Sequence, residues 1–79
     1  MDKAEIIISY IRDELAADPD LQITNDISLF QDRLLDSLNL VTLIGFLEKT
    51  FNIQIKSSEV SVENLDSVTN MLTFLDKKI

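Results

Sequence analysis

The stretch that decides the fold is Asp36-Ser37-Leu38-Asn39-Leu40-Val41-Thr42-Leu43-Ile44-Gly45-Phe46-Leu47-Glu48-Lys49-Thr50-Phe51. Leu40, Leu43, Ile44, Leu47 and Phe51 recur at i, i+3, i+4, i+7 and i+11, the stripe that one face of a helix buries. Asp36 precedes the first turn and suits an N-cap, because a short carboxylate can accept from the orphan N–H groups there. The spacing predicts a helix over 37–51. Its other face carries Leu38, Val41, Thr42, Gly45 and Lys49, flanked by Phe46. Glu48 and Lys49 are the only ions in 37–51, so the helix is neutral. A face this apolar is either ordinary surface or a docking surface for a partner. Gly45 should cost ~1 kcal/mol relative to Ala at mid-helix. Close approach of a partner explains it, and so does simple drift.

Upstream, Ala4, Ile7, Ile8, Ile11 and Leu15 form a second stripe, with Asp2 as N-cap and Pro19 beyond the end. A helix over about 3–17 is expected. Residues 18–36 lack a period, yet Leu21, Ile23, Ile27, Leu29, Phe30, Leu34 and Leu35 can dock them on a core. A loop this long inside a small domain is uncommon and often functional. It does not read as a calcium loop. Counting from Asp18, Ile23 stands where a Gly is needed and Leu29 where a bidentate Glu is needed.

Downstream, residues 51–56 alternate apolar and polar like a strand but have no partner strand. They are expected to form an extended connector that buries Ile53 and Ile55. Ser57 or Ser58 suits a cap for a short helix over about 58–63. Val68, Met71, Leu72, Leu75 and Ile79 mark a last helix over about 67–77, with Asp66 as cap and Lys77 and Lys78 complementing its C-terminal dipole. The expectation is an all-α fold: a small four-helix bundle within one domain, 1–79.

Composition narrows the chemistry. The chain has 79 residues, 46% of them apolar, a net charge of −7, and neither His nor Cys. No Ser–His–Asp or Cys–His nucleophile can be assembled. Zinc sites built from His and Cys are excluded, as are disulfides. The acidity argues against nucleic-acid partners and against an anionic membrane surface. Nothing in the sequence suggests a spanning segment, and the start Met1-Asp2-Lys3-Ala4-Glu5 lacks the basic region of a secretory leader. A cytoplasmic monomer without membrane insertion is the expectation.

Ser37 stands out by position. A phosphate ester on its hydroxyl would lie at a helix N-terminus, where free N–H groups favour an anion. The plainer reading is that Asp36 and Ser37 only cap the helix. The wider pattern bears on that choice. Leu34-Leu35-Asp36-Ser37-Leu38-Asn39-Leu40-Val41 resembles the attachment motif of acyl and peptidyl carrier proteins. The likeness extends through Phe46–Ile53 and Glu63–Val68, and with the first helix it covers nearly the whole chain. It implies 4′-phosphopantetheine, donated by coenzyme A, on Ser37, with Asp36 and Leu38 beside it. It implies a carrier rather than an enzyme, with cargo held as a thioester on the arm. The implied partners are a phosphopantetheinyl transferase, an acyl- or aminoacyl-loading ligase and downstream transferases. Leu38, Val41, Thr42, Gly45 and Phe46 would form the docking face. The alternative is an unmodified helical adaptor using that same face.

Two departures from the pattern matter. Many members have Gly two or three residues before the Asp, where this chain has Arg33 and Leu34. Fatty-acid carriers usually have acids on the helix after the serine, and here that helix is neutral. The "Leu-Leu-Asp-Ser" form with Leu29-Phe30 before it also resembles D-alanyl and other aminoacyl carriers. The acidity lies upstream: residues 1–36 hold nine acids and three bases, residues 37–79 five and four.

Overall fold

The computed structural model describes residues 2–78. Helix α1 (Lys3–Tyr10) runs directly into a π-helical turn, Ile11–Leu15. Then come α2 (Ser37–Phe51), a 3-10 turn (Ser57–Glu59), α3 (Val62–Leu65) and α4 (Val68–Asp76). No strand occurs among the described residues. The fold is the expected all-α bundle, with α1 and α3 packed on α4.

The apolar stripes meet in one core. Ile7 and Ile11, Leu43 and Leu47, Leu65, and Val68, Met71 and Leu75 are fully buried, joined by Leu29 from the long loop. Burial of each such side chain stabilises by ~1.5–3 kcal/mol. Phe74 is also buried, although its position lies outside the expected stripe, and the Lys78 ammonium lies 5.7 Å from its ring centroid. Ile79, expected to end that stripe, lies outside the described residues.

Four local expectations need correction. The first helix ends at Leu15, not 17, because the Ala16 N–H bonds five residues back to the Ile11 carbonyl (2.8 Å) and Ala17 turns left-handed at φ 52°. Neither geometry can continue an α-helix, and Pro19 follows. The short helix over 58–63 is instead two pieces. The Lys56 N–H donates to the Glu59 carboxylate (2.9 Å) at the 3-10 turn, while Ser61, not Ser57 or Ser58, caps α3. The last helix, Val68–Asp76, agrees with its expected span, but its cap is Ser67, not Asp66: the Ser67 hydroxyl accepts from the Asn70 N–H (3.1 Å). Asp66 is thereby left for another task.

The connector after α2 has no regular structure, and of the two residues expected to be buried Ile55 is buried and Ile53 half-buried. Asn52 closes α2 in the left-handed region at φ 55°. The Glu48 carboxylate then accepts the Ile55 N–H (2.9 Å), which seats Ile55 in the core.

Candidate functional site

Ser37 is the first residue of α2. Asp36 before it is extended (φ −138°, ψ −174°), and its carboxylate accepts from the N–H groups of Leu38 and Asn39, both at 2.9 Å. The Asp36 carbonyl accepts from Leu40 (2.9 Å). Asp36, Ser37 and Leu38 are all exposed. The serine hydroxyl is therefore reachable and rides on the start of a 15-residue helix. Two N–H groups that would attract an anion are already occupied by the cap, whose own charge offsets the helix dipole. A phosphate ester on Ser37 would stand in solvent, not in a cradle. What the site offers a prosthetic group is a rigid anchor and open access.

The approach to Ser37 is held from the far end of the chain. The Ser28 hydroxyl lies 2.7 and 2.9 Å from the two carboxylate oxygens of Asp66, one of which also accepts from the Phe30 N–H (3.2 Å). The Leu29 N–H donates to the Asp66 carbonyl (2.7 Å). The Leu29 carbonyl in turn accepts from Leu34 (2.8 Å) and Leu35 (3.1 Å), next to Asp36. Nearby, Thr69 donates through its N–H to the Asn25 carbonyl (3.0 Å) and through its hydroxyl to Asp26 (2.9 Å). Leu29 and Leu35 anchor the loop in the core. Between them Arg33 is left-handed at φ 61°, a conformation that costs a side-chain-bearing residue roughly 1–2 kcal/mol. The place where relatives of the motif often have glycine thus demands glycine's geometry here too. Sequence reasoning missed Asp66, because Asp66-Ser67 offers two good caps in a row and only one is used.

The outer face of α2 is open. Leu38 is 81% exposed and Val41 70%, and Thr42, Gly45 and Lys49 are exposed beside them. A Cβ placed on Gly45 would meet nothing within 4 Å. Glu48 faces the connector, so Lys49 is the ion left on this face. Phe46 departs from the expected arrangement: it is half-buried and its ring stacks on Tyr10 (centroids 3.8 Å apart, 11° between planes). With Ile6, Ser9, Asp13 and Glu14, this pair lines a shallow groove of about 320 Å³ between α1 and α2. Away from Ser37, the Lys78 ammonium and then the Lys56 N–H hold the Glu59 carboxyl below the usual carboxylate range.

Among the described residues no group of carboxylates could hold a metal ion, and no helix is long and apolar enough to cross a membrane. Residues 5–75 match the family model described as "Phosphopantetheine attachment site". The acyl carrier protein of Thermosynechococcus vestitus is 32% identical over 82 aligned positions, covering 100% of this chain and 98% of that protein. The acyl carrier protein of Buchnera aphidicola subsp. Baizongia pistaciae is 40% identical over 58, covering 73% and 72%. A chain from the crystal structure of an FAD-dependent dehydrogenase has a TM-score of 0.78, covering 86% of this chain and 96% of that one. At 19% identity that likeness carries the fold alone.

Proposed function

The chain belongs to the carrier proteins of the phosphopantetheine-attachment family, and from that premise we propose that Ser37 carries the arm and that the outer face of α2 presents it to partner enzymes. Members of this family are not enzymes, and their prosthetic group is 4′-phosphopantetheine. When bound, the group supplies a thiol on which cargo is held as a thioester. The protein's own part is mechanical. Asp36 caps the helix and fixes the direction in which Ser37 points, α2 gives the arm a stiff base, and Leu38 keeps the first turn apolar beside it. Attachment would form a bond from the Ser37 oxygen to the phosphorus of the arm and break the pyrophosphate P–O bond of coenzyme A. The nucleotide half of coenzyme A and the hydroxyl proton leave.

The observation that carries the reading is the exposed Ser37 hydroxyl at the first position of α2, inside the family match. The cargo we infer is an acyl or aminoacyl group, delivered by a loading ligase after a phosphopantetheinyl transferase has acted. Leu38, Val41, Thr42 and Gly45 would touch the partner, with Phe46 behind them. The neutral face favours partners that dock by apolar contact over strongly basic ones. The chain 1–79 is read as one carrier domain.

The test is intact mass after incubation with coenzyme A and a broad-specificity phosphopantetheinyl transferase. A single arm on the native protein and none on Ser37→Ala is expected. No gain on the native protein, or a gain that survives the substitution, refutes the assignment. A stable partner complex indifferent to Ser37→Ala but lost with Val41→Glu would instead favour an unmodified adaptor.

A further inference from the structure

Asp66 lies 29 residues from Ser37 in sequence, yet hydrogen bonds lead from it through Leu29 to Leu34 and Leu35, two residues before Ser37. Its carboxylate takes the Ser28 hydroxyl and the Phe30 N–H, and its carbonyl takes the Leu29 N–H. The same Ser28 hydroxyl accepts from the Gln31 N–H (3.2 Å), and the Asp32 N–H donates to the Ser28 carbonyl (3.0 Å). The Leu29 carbonyl then holds the N–H groups of Leu34 and Leu35, immediately before the Asp36 cap. The loop between is not inherently set in this shape, because Arg33 must stay left-handed against its own preference. The bonds that close the turn, including that of the Arg33 N–H to the Phe30 carbonyl (3.1 Å), all end on acceptors in residues 28–30, and those residues are the ones in contact with the charged acceptor at the α3–α4 junction.

Resting on the assignment of the arm to Ser37, we propose that Asp66 is a positioning residue for that modification. It clamps residues 28–30 so that the turn through Arg33 delivers Asp36 and Ser37 in the geometry a transferase engages. Without the carboxylate, the Ser28 hydroxyl and the Phe30 N–H lose their acceptor, and the loop samples other shapes. The transferase then meets the competent shape only part of the time. A reduced competent fraction raises the apparent KM for the carrier and leaves kcat nearly unchanged. Hydrogen bonds to a charged acceptor are among the stronger ones, so a KM increase of about tenfold is expected for Asp66→Ala. Ser28→Ala, which leaves the Phe30 and Leu29 bonds in place, should give a smaller increase.

The experiment follows arm attachment by intact mass over a range of carrier concentrations, with coenzyme A and the transferase. Native protein, Asp66→Ala, Ser28→Ala and Ile11→Val are compared, together with their stabilities in urea. Ile11→Val loosens the core without removing any hydrogen bond of residues 28–36 and controls for stability. A KM increase for Asp66→Ala with kcat retained, and little change for Ile11→Val, supports the proposal. Amide hydrogen exchange gives a second readout on unmodified protein. Leu34 and Leu35 should exchange faster in Asp66→Ala, relative to the interior of α2, and faster in Ser28→Ala should Asp66→Ala fail to fold. Unchanged KM in the Asp66 and Ser28 variants overturns the proposal, as does a change that Ile11→Val matches. Attachment absent from the native protein overturns the Ser37 assignment and this proposal with it. Attachment at the native rate in Asp66→Ala overturns this proposal alone.

Discussion

At the scale of single residues, the approach to the attachment serine concentrates its strain in Arg33. Left-handed backbone costs an L residue with a Cβ roughly 1–2 kcal/mol, and glycine is nearly free of that cost but loses more freedom on folding. Arg33→Gly should therefore raise stability by about 0.5–1 kcal/mol in urea unfolding, while Arg33→Ala, which keeps the strain, should not. A gain for Ala equal to that for Gly would place the cause in the lost charge instead. The sequence marked this position, since Arg33 occupies a place where glycine is common in carriers, but propensity does not say whether the chain keeps the turn or abandons it. The structure keeps it, because Leu29 and Leu35 on either side are buried, the Leu29 carbonyl binds the N–H groups of Leu34 and Leu35, and the Arg33 N–H itself bonds the Phe30 carbonyl. Asp66 was less legible. A bond from residue 28 to residue 66 leaves no local signature, and an Asp next to a Ser before a helix suggests a cap by either.

At the scale of elements, α2 was the most readable part. Its cap, its stripe and its span 37–51 all follow from the spacing of apolar residues and one Asp. The end of α1 was not readable. Its apolar spacing is equally compatible with an α-turn or a π-turn over 11–15, and packing rather than propensity decides between them. In the short segment after the connector, Ser57 or Ser58 suits a cap for one helix over about 58–63, whereas Glu59 and Ser61 divide it into two turns. Gly45 gives the element-scale prediction. It has ordinary helical backbone and open space around it, so Gly45→Ala should stabilise by about 0.5–1 kcal/mol. The same variant should slow loading if a partner backbone approaches at that point. Measured together, denaturant midpoint and loading rate separate drift from docking.

At the scale of the whole molecule, the fold closes through contacts distant in sequence. Glu59 pairs with Lys78, and Lys3 with Asp76 (3.9 Å), which tie the 3-10 turn and the start of α1 to the end of the chain. Glu59 has its folded pKa lowered from 4.5, first by Lys78 and then by the Lys56 N–H. The unfolded chain thus takes up this proton before the folded one as pH falls. The stability it contributes is fully present above 4.5 and is lost as pH drops through the lower folded value. Glu59→Gln should therefore flatten the acid side of the stability profile and leave its shape near neutrality alone, as read by urea unfolding at stepped pH. An unchanged acid limb would mean the pair is too well screened by water to matter. The Tyr10–Phe46 stack has a practical consequence as well. The chain has one tyrosine and no tryptophan, so its near-ultraviolet signal comes chiefly from a ring seated between the first helix and the helix that bears the serine. Tyrosine emission and near-ultraviolet dichroism then report, without a label, whether those two helices stay in register when cargo is loaded or an enzyme binds.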